Sequence, residues 1–117
     1  MKKIRSVKTE DKLDLVLYSS SVKNPKAVLF LIHGMGEHAR RYEHVAEYFK
    51  NVNIATVAID LRGHGNSEGK RGHMPSYEHM MQDLKLALHE IDVTYKGLPI
   101  IIYLSLIHIS EPTRPYS

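Results

Sequence analysis

The chain has 117 residues, of which 43% are hydrophobic and 25% charged, and it contains neither cysteine nor tryptophan. These values are typical of one folded domain and exclude a disordered chain, a collagen and a coiled coil. The absence of cysteine excludes a disulfide framework, a thiolate metal site and a cysteine nucleophile. The net charge of +3 comes from 16 basic and 13 acidic residues without a dense basic cluster, so we expect no nucleic-acid partner.

Membrane and secretion signals are also not indicated by the sequence. Apolar runs such as residues 27–32 are too short to span a bilayer. The basic start, residues 1–5, is similar to the beginning of a signal peptide, but the polar residues 9–12 stand where such a peptide requires an apolar stretch. We therefore expect no transmembrane segment and a cytoplasmic protein.

The hydrophobic pattern predicts a hairpin followed by three buried strands. Residues 3–8 and 12–19 alternate between apolar and polar, which predicts an antiparallel hairpin of half-buried strands. Residues 27–32, 54–60 and 98–103 are apolar on both faces, as buried strands of a parallel sheet are.

Two predicted helices lie between these strands. Residues 41–51 and 77–91 repeat apolar side chains at helical spacing, with Ser76 as the N-cap of the second helix and Gly97 after its end. The alternation of strands and helices predicts an α/β fold with right-handed crossovers. Its last strand, residues 98–103, is predicted to have an unpaired outer edge, through which the chain would self-associate.

Glycine-rich motifs follow two of the predicted strands, at the carboxyl ends where α/β sheets place their chemistry. The first motif is His33-Gly34-Met35-Gly36-Glu37-His38, and the second is Asp60-Leu61-Arg62-Gly63-His64-Gly65-Asn66-Ser67-Glu68-Gly69. The glycines on either side of Met35 let the backbone turn sharply and leave the Met35 N–H pointing into a cleft. An oxyanion hole requires such a backbone donor in this loop.

In this order, the motifs resemble the α/β-hydrolase family in its monoglyceride lipase, lysophospholipase and serine aminopeptidase-like branch. The resemblance covers residues 1–103 and implies the N-terminal part of an α/β-hydrolase fold. It also implies a serine hydrolase of acylglycerols, lysophospholipids or similar carboxylic esters, with a Ser-Asp-His triad and no cofactor. The first oxyanion donor is assigned to the backbone N–H of Met35. The other assigned residues are the oxyanion loop of His33, Gly34, Gly36, Glu37 and Arg41, and the structural turn of Asp60, Arg62, Gly63, His64, Gly65 and Ser67.

Several of these residues allow other interpretations. Asp60, His64 and Ser67 share one short turn, in which an orienter, a base and a nucleophile cannot easily align, so we expect structural hydrogen bonds there. Glu37 and Arg41 form either an ordinary i,i+4 ion pair or a brace for the oxyanion loop, and the sequence leaves both open. The eight histidines include no His-Glu-x-x-His pattern, so we expect no metal site.

The nucleophile elbow of the family, Gly-x-Ser-x-Gly, is expected directly after Tyr103. Leu104 and Leu106 occupy the places of its first glycine and its serine, and Ser105 lies one residue out of register. We therefore predict that Ser105 is not a nucleophile and that the chain is inactive because its triad is missing.

The C-terminal residues differ in origin from the rest under one hypothesis. Residues 104–114 equal an in-frame translation of transposon-based sequencing-adaptor DNA. We therefore expect residues 1–103 to be the N-terminal part of a truncated hydrolase domain and residues 104–117 to be an artefactual tail. A non-catalytic α/β-hydrolase-like binding domain stays open as the alternative. A nucleotide-binding half-domain is disfavoured, since neither glycine motif matches a phosphate-binding pattern.

Overall fold

A computed structural model describes residues 1–105, so residues 106–117 of the predicted tail lie outside the described residues. The strands are β1 (Lys2–Lys8), β2 (Asp14–Ser19), β3 (Ala27–Ile32), β4 (Ile54–Ile59) and β5 (Ile100–Leu104), and the helices are a 3-10 turn (Ala39–Tyr42), α1 (Glu43–Lys50) and α2 (Tyr77–Thr94). The strands form one sheet in the order β1-β2-β4-β3-β5. β2 pairs antiparallel with β1 and β4, whereas β3 pairs parallel with β4 and β5. The predicted α/β fold, with a hairpin followed by parallel strands, is confirmed.

The sheet is covered on both faces because its crossovers run in opposite directions from neighbouring strands. In β3, Phe30 packs into the cluster that contains Ile91 of α2, whereas Leu31 packs into the cluster that contains Val45 of α1. The β3-to-β4 and β4-to-β5 connections move across the sheet in opposite senses. Right-handed crossovers therefore place α1 and α2 on opposite faces.

The second strand of the hairpin is buried on both faces, so the prediction that it is half-buried is wrong. Leu15 and Leu17 belong to the cluster on the α2 face, and Val16 and Tyr18 belong to the cluster on the α1 face. The reason is its place in the sheet, since β2 lies between β1 and β4 and receives cover from both helical layers.

The predicted helices are confirmed with shifted ends. The Ser76 hydroxyl accepts a hydrogen bond from the His79 N–H at 3.1 Å, which is the expected N-cap contact. α2 continues to Thr94 and is followed by Gly97 at φ +80°, while α1 begins at Glu43 because the preceding residues form the 3-10 turn. No helix within residues 1–105 has the length and apolar character that a membrane span requires.

The last strand pairs only with β3 within residues 1–105, and its predicted edge position is confirmed. The prediction that it is a buried strand is wrong, since Ile102 and Leu104 are 57% and 52% exposed and Ile101 is 45% exposed. A strand that is apolar on both faces is suited to burial on both faces. Whether it is buried depends on the elements that pack against it.

The two edges of the sheet differ in how they resist pairing with other chains. β1 carries Lys2, Lys3, Arg5 and Lys8, and its pairing with β2 is irregular between Lys3 and Arg5. Charges and irregular register discourage edge-to-edge pairing. β5 has the sequence Ile-Ile-Ile-Tyr-Leu, which offers neither protection.

We predict that the chain self-associates through β5 and that Ile102→Lys reduces this association, because a charge on the edge opposes strand pairing. Sedimentation velocity over a concentration series measures the change. Val93→Lys is the matched control, since Val93 is 53% exposed but lies on α2. A wild-type chain that remains monomeric, or equal effects of the two lysines, would contradict the prediction.

Candidate active site

The two glycine motifs meet at the carboxyl ends of the neighbouring parallel strands β3 and β4. Two hydrogen bonds join them in opposite directions. The Leu61 N–H of the second motif donates to His33 Nε2 of the first at 2.9 Å. The Gly36 N–H of the first motif donates to His64 Nε2 of the second, also at 2.9 Å. The two imidazole rings lie 5.1 Å apart between their centroids, so the motifs form one connected unit.

Both histidines have the same neutral tautomer. Because each Nε2 accepts a hydrogen bond, the ring proton lies on Nδ1. His33 Nδ1 donates to the Gly34 carbonyl at 2.7 Å, and His64 Nδ1 donates to the Arg62 carbonyl at 2.9 Å. Burial lowers the pKa of His33, which favours the neutral ring that these contacts require.

The loop of the first motif contains three consecutive N–H groups with different partners. The Gly34 N–H donates to Glu37 Oε1 at 3.1 Å, and the Gly36 N–H donates to His64. Between them, the Met35 N–H has no acceptor within residues 1–105. Gly36 has φ +83°, a conformation that glycine adopts without the strain of a side chain. The turn therefore presents one backbone donor with two satisfied neighbours.

The Glu37 carboxylate joins this loop to the following 3-10 turn. Oε1 also accepts from the Tyr42 hydroxyl at 2.6 Å, and Oε2 lies 3.3 Å from Arg41 Nε. Arg41 is 66% exposed, so the ion pair contributes little to stability. Glu37 therefore forms both contacts that the sequence left open, the ion pair with Arg41 and the bond to the loop at the Gly34 N–H. The bond to Gly34 is the more buried of the two.

Ser105 follows β5 and reaches the same group of side chains. Its N–H donates to the Ile32 carbonyl at 3.0 Å, and its hydroxyl lies 2.6 Å from the Tyr42 hydroxyl. Burial raises the pKa of Tyr42. Since the Tyr42 O–H donates to Glu37, the Ser105 O–H is the donor to the Tyr42 oxygen. A neutral phenol is no general base, so this contact does not activate Ser105.

The second motif turns around the buried carboxylate of Asp60, which is 1% exposed. Oδ1 accepts from the Ala39 N–H at 2.7 Å, while Oδ2 accepts from the Tyr18 O–H at 2.7 Å and the Asn66 N–H at 2.9 Å. A Cβ atom on Gly65 would lie 2.4 Å from this carboxylate, and Gly65 has φ +50°. Any other residue at position 65 would displace the carboxylate from its donors.

Side chains of the second motif form separate structural bonds. Ser67 Oγ accepts from the Val16 N–H at 2.8 Å and donates to the Asp60 carbonyl. His64 bonds to Gly36 and to the Arg62 carbonyl. None of these is the bond between a nucleophile and its base that a triad requires.

Arg62 binds two carboxylates with its planar fork. Nε and Nη2 bond to Asp83 at 2.9 and 3.0 Å, and Nη1 and Nη2 bond to Asp11 at 2.6 and 3.0 Å. The hydrogen bonds with Asp83 and Asp11 raise the pKa of Arg62, and those with Arg62 hold the pKa of Asp11 well below its usual value. Arg62 is 4% exposed and Asp83 is 1% exposed. The guanidinium thereby anchors the second motif to α2 and to the β1–β2 turn.

Sequence reasoning missed both carboxylates. Asp83 carries a usable signal, because it precedes the buried Ala87 and Ile91 at intervals of four residues on α2. A charged residue on the buried face of a helix implies a buried partner. Asp11 carries no such signal, since its side chain is half exposed in the hairpin turn.

The chain is similar in sequence to several known proteins. The profile of the family described as serine aminopeptidase, S33, matches residues 23–104. The chain is 45% identical over 85 residues to an uncharacterised abhydrolase domain-containing protein of Dictyostelium discoideum, covering 71% of this chain and 9% of that protein. It is 33% identical over 85 residues to the monoglyceride lipase of Homo sapiens, covering 73% of this chain and 28% of the human protein.

A solved structure shows the same fold. A soluble variant of the monoglyceride lipase of Saccharomyces cerevisiae, in complex with a substrate analog, matches with a TM-score of 0.76 and 18% identity, covering 89% of this chain and 35% of that chain. The sheet is therefore that of an α/β-hydrolase fold. The family profile covers more than half of the chain, which belongs to the serine aminopeptidase S33 family.

Replacing Arg62 tests the anchoring of the second motif. We predict that Arg62→Met lowers the free energy of unfolding by about 3 kcal/mol or more, because the buried Asp83 carboxylate loses its partner. Arg40→Met is the control, since Arg40 is 59% exposed in its ion pair with Glu43 and should change stability by less than about 1 kcal/mol. Urea unfolding measures both variants. Similar losses in the two would contradict the anchoring role.

The buried neutral His33 predicts a loss of stability in mild acid. Its folded pKa is lower than the ordinary value of 6.5, so its contribution is complete above that pH and is lost as pH falls through the folded pKa. In His33→Gln, the free energy of unfolding should decrease less between about pH 7.5 and about pH 5. The exposed His89, replaced in the same way, is the control. An unchanged pH dependence in His33→Gln would contradict the prediction.

Proposed function

We propose that residues 1–105 hold the oxyanion loop of a serine hydrolase that cleaves acylglycerols, lysophospholipids or similar small, lipid-like carboxylic esters. The observation that carries this proposal is the Met35 N–H, a backbone donor without an acceptor in the described part of the chain, between two neighbours that have one. The monoglyceride lipases among the relatives favour an acylglycerol substrate. The chain spans about a quarter of the human relative's length, so the activity proposed is that of a longer protein.

In the proposed reaction, a serine oxygen attacks the ester carbonyl carbon while a base takes the serine proton. The carbonyl π electrons move to the oxygen, which becomes the oxyanion of the tetrahedral intermediate. The Met35 N–H donates to that oxygen and stabilises the charge as it develops. Collapse of the intermediate expels the alcohol, which takes the proton from the base, and leaves an acyl-enzyme for water to hydrolyse.

The nucleophile, base and acid of this reaction are not assigned to any residue of the chain. The Ser105 hydroxyl donates a hydrogen bond to the Tyr42 hydroxyl, which in turn donates to Glu37, and within residues 1–105 no general base is bonded directly to Ser105. We therefore propose that the 117-residue chain is inactive and that the triad belongs to sequence beyond it. A cytoplasmic location is part of the same proposal and stays a prediction.

A serine-directed fluorophosphonate tests the inactivity of the chain. We predict no stoichiometric labelling and no sustained hydrolysis of a short p-nitrophenyl ester, because covalent acyl transfer requires an activated nucleophile. Ser105→Ala is the control for any residual signal. Labelling at Ser105, or turnover that disappears in Ser105→Ala, would contradict the proposal.

The role of Met35 is testable in the longer protein. Its gene is first recovered from the source DNA and sequenced past codon 103. An intact Gly-x-Ser-x-Gly elbow is predicted there, whereas its absence would favour the non-catalytic binding domain. In that product, Met35→Pro removes the N–H and should lower kcat/KM by an amount equivalent to about 3 kcal/mol of transition-state stabilisation. Met35→Ala keeps the N–H and is the matched control. Equal kinetic effects of the two variants would exclude the donor role.

A further inference from the structure

The three consecutive N–H groups of residues 34–36 differ in whether they have an acceptor and in which residue provides it. Glu37, which satisfies the Gly34 N–H, belongs to the loop itself. His64, which satisfies the Gly36 N–H, belongs to the second motif, 28 residues further along the chain. We propose that His64 is a positioning residue, which captures the Gly36 N–H so that the Met35 N–H alone is presented to the substrate. The inference rests on the proposed function only for the use of the Met35 N–H.

The His64 ring is suited to this task because both of its nitrogens are engaged. Nδ1–H donates to the Arg62 carbonyl, and Nε2 accepts from Gly36. The backbone N–H of His64 donates to the Leu61 carbonyl at 2.9 Å, and its side chain is almost completely buried. Rotation of the ring would break both side-chain bonds at once. The acceptor therefore has a fixed direction.

The anchoring continues beyond His64 into the body of the fold. Arg62, which supplies the carbonyl that His64 binds, is itself held by Asp83 of α2 and Asp11 of the hairpin. A chain of bonded groups thus runs from α2 through Arg62 and His64 to Gly36. The acceptor is supported by residues that pack outside the oxyanion loop.

Gly36 needs such an acceptor because of its own conformation. It is exposed and has φ +83°, and a glycine has more accessible backbone conformations than any other residue. Rotation of the peptide unit between Met35 and Gly36 would turn the Gly36 N–H away from its present position. That N–H would then compete with its neighbour for an anion. The bond to His64 selects one of these arrangements.

His33 provides the contrast within the same pair of rings. Its Nε2 accepts from Leu61 rather than from the loop, so it joins the strand ends and does not hold Gly36. Loss of the His64 bond should therefore affect Gly36 while the Leu61 amide stays protected. This difference separates positioning of the loop from general stability.

The direct test is solution NMR on the whole 117-residue chain. The Gly36 N–H donates to a ring nitrogen, so a through-bond nitrogen–nitrogen coupling between the Gly36 amide and His64 Nε2 is expected in the wild type. Amide hydrogen exchange of Gly36 should be about tenfold faster in His64→Phe, which keeps a ring but removes the acceptor. His64→Gln places an oxygen near the Nε2 position and should restore most of the protection. His89→Phe, on the exposed face of α2, is the control.

Absence of the coupling in the folded wild type would overturn the inference, and so would equal Gly36 exchange in wild type and His64→Phe. The coupling requires no variant, so the test stands even where His64→Phe does not fold. Failure of the proposed function has a different signature. In that case Met35→Pro would leave the activity of the longer protein unchanged, while the coupling and the exchange pattern would remain.

Discussion

The arrangement of the carboxyl edge of the sheet depends on the buried carboxylate of Asp60. Its two oxygens accept hydrogen bonds from Tyr18 of β2, from Ala39 at the start of the 3-10 turn, and from Asn66 of the second motif. Burial and the bond to Asp60 raise the pKa of Tyr18, which keeps its hydroxyl a donor. Three segments far apart in sequence are thus held at one point. A buried carboxylate is tolerated because every oxygen has a donor.

The site is built outward from this point in two directions. Through Ala39, Asp60 sets where the loop of the first motif ends, and through Asn66 it sets the path of the turn that carries His64. The side chains of His33 and His64 then lie close enough to form the two hydrogen bonds that join the motifs. Between these bonded groups, the Met35 N–H has no acceptor in residues 1–105. Its direction depends on structural bonds that never touch a substrate.

Much of this could be predicted from the sequence, because local chemistry determines it. The apolar runs predict the strands, and the glycines around Met35 and after Asp60 predict the turns that follow β3 and β4. The burial of β2 and the exposure of β5 could not be predicted, since both depend on strand order rather than on the strands' own residues. The partners of Arg62 were missed for a similar reason. A guanidinium identifies the need for carboxylates, but only the fold brings Asp11 beside it.

Asp60→Asn tests whether the Asp60 carboxylate holds both motifs in place. Asparagine keeps the shape but replaces an accepting oxygen with an NH₂ donor that faces other donors. Residue-level hydrogen exchange is the measurement. We expect the amides of Ala39, Asn66 and Gly36 all to exchange faster, that of Gly36 because His64 is displaced, while the amides of β3 change little. Faster exchange confined to Ala39 and Asn66, with Gly36 unchanged, would contradict this expectation.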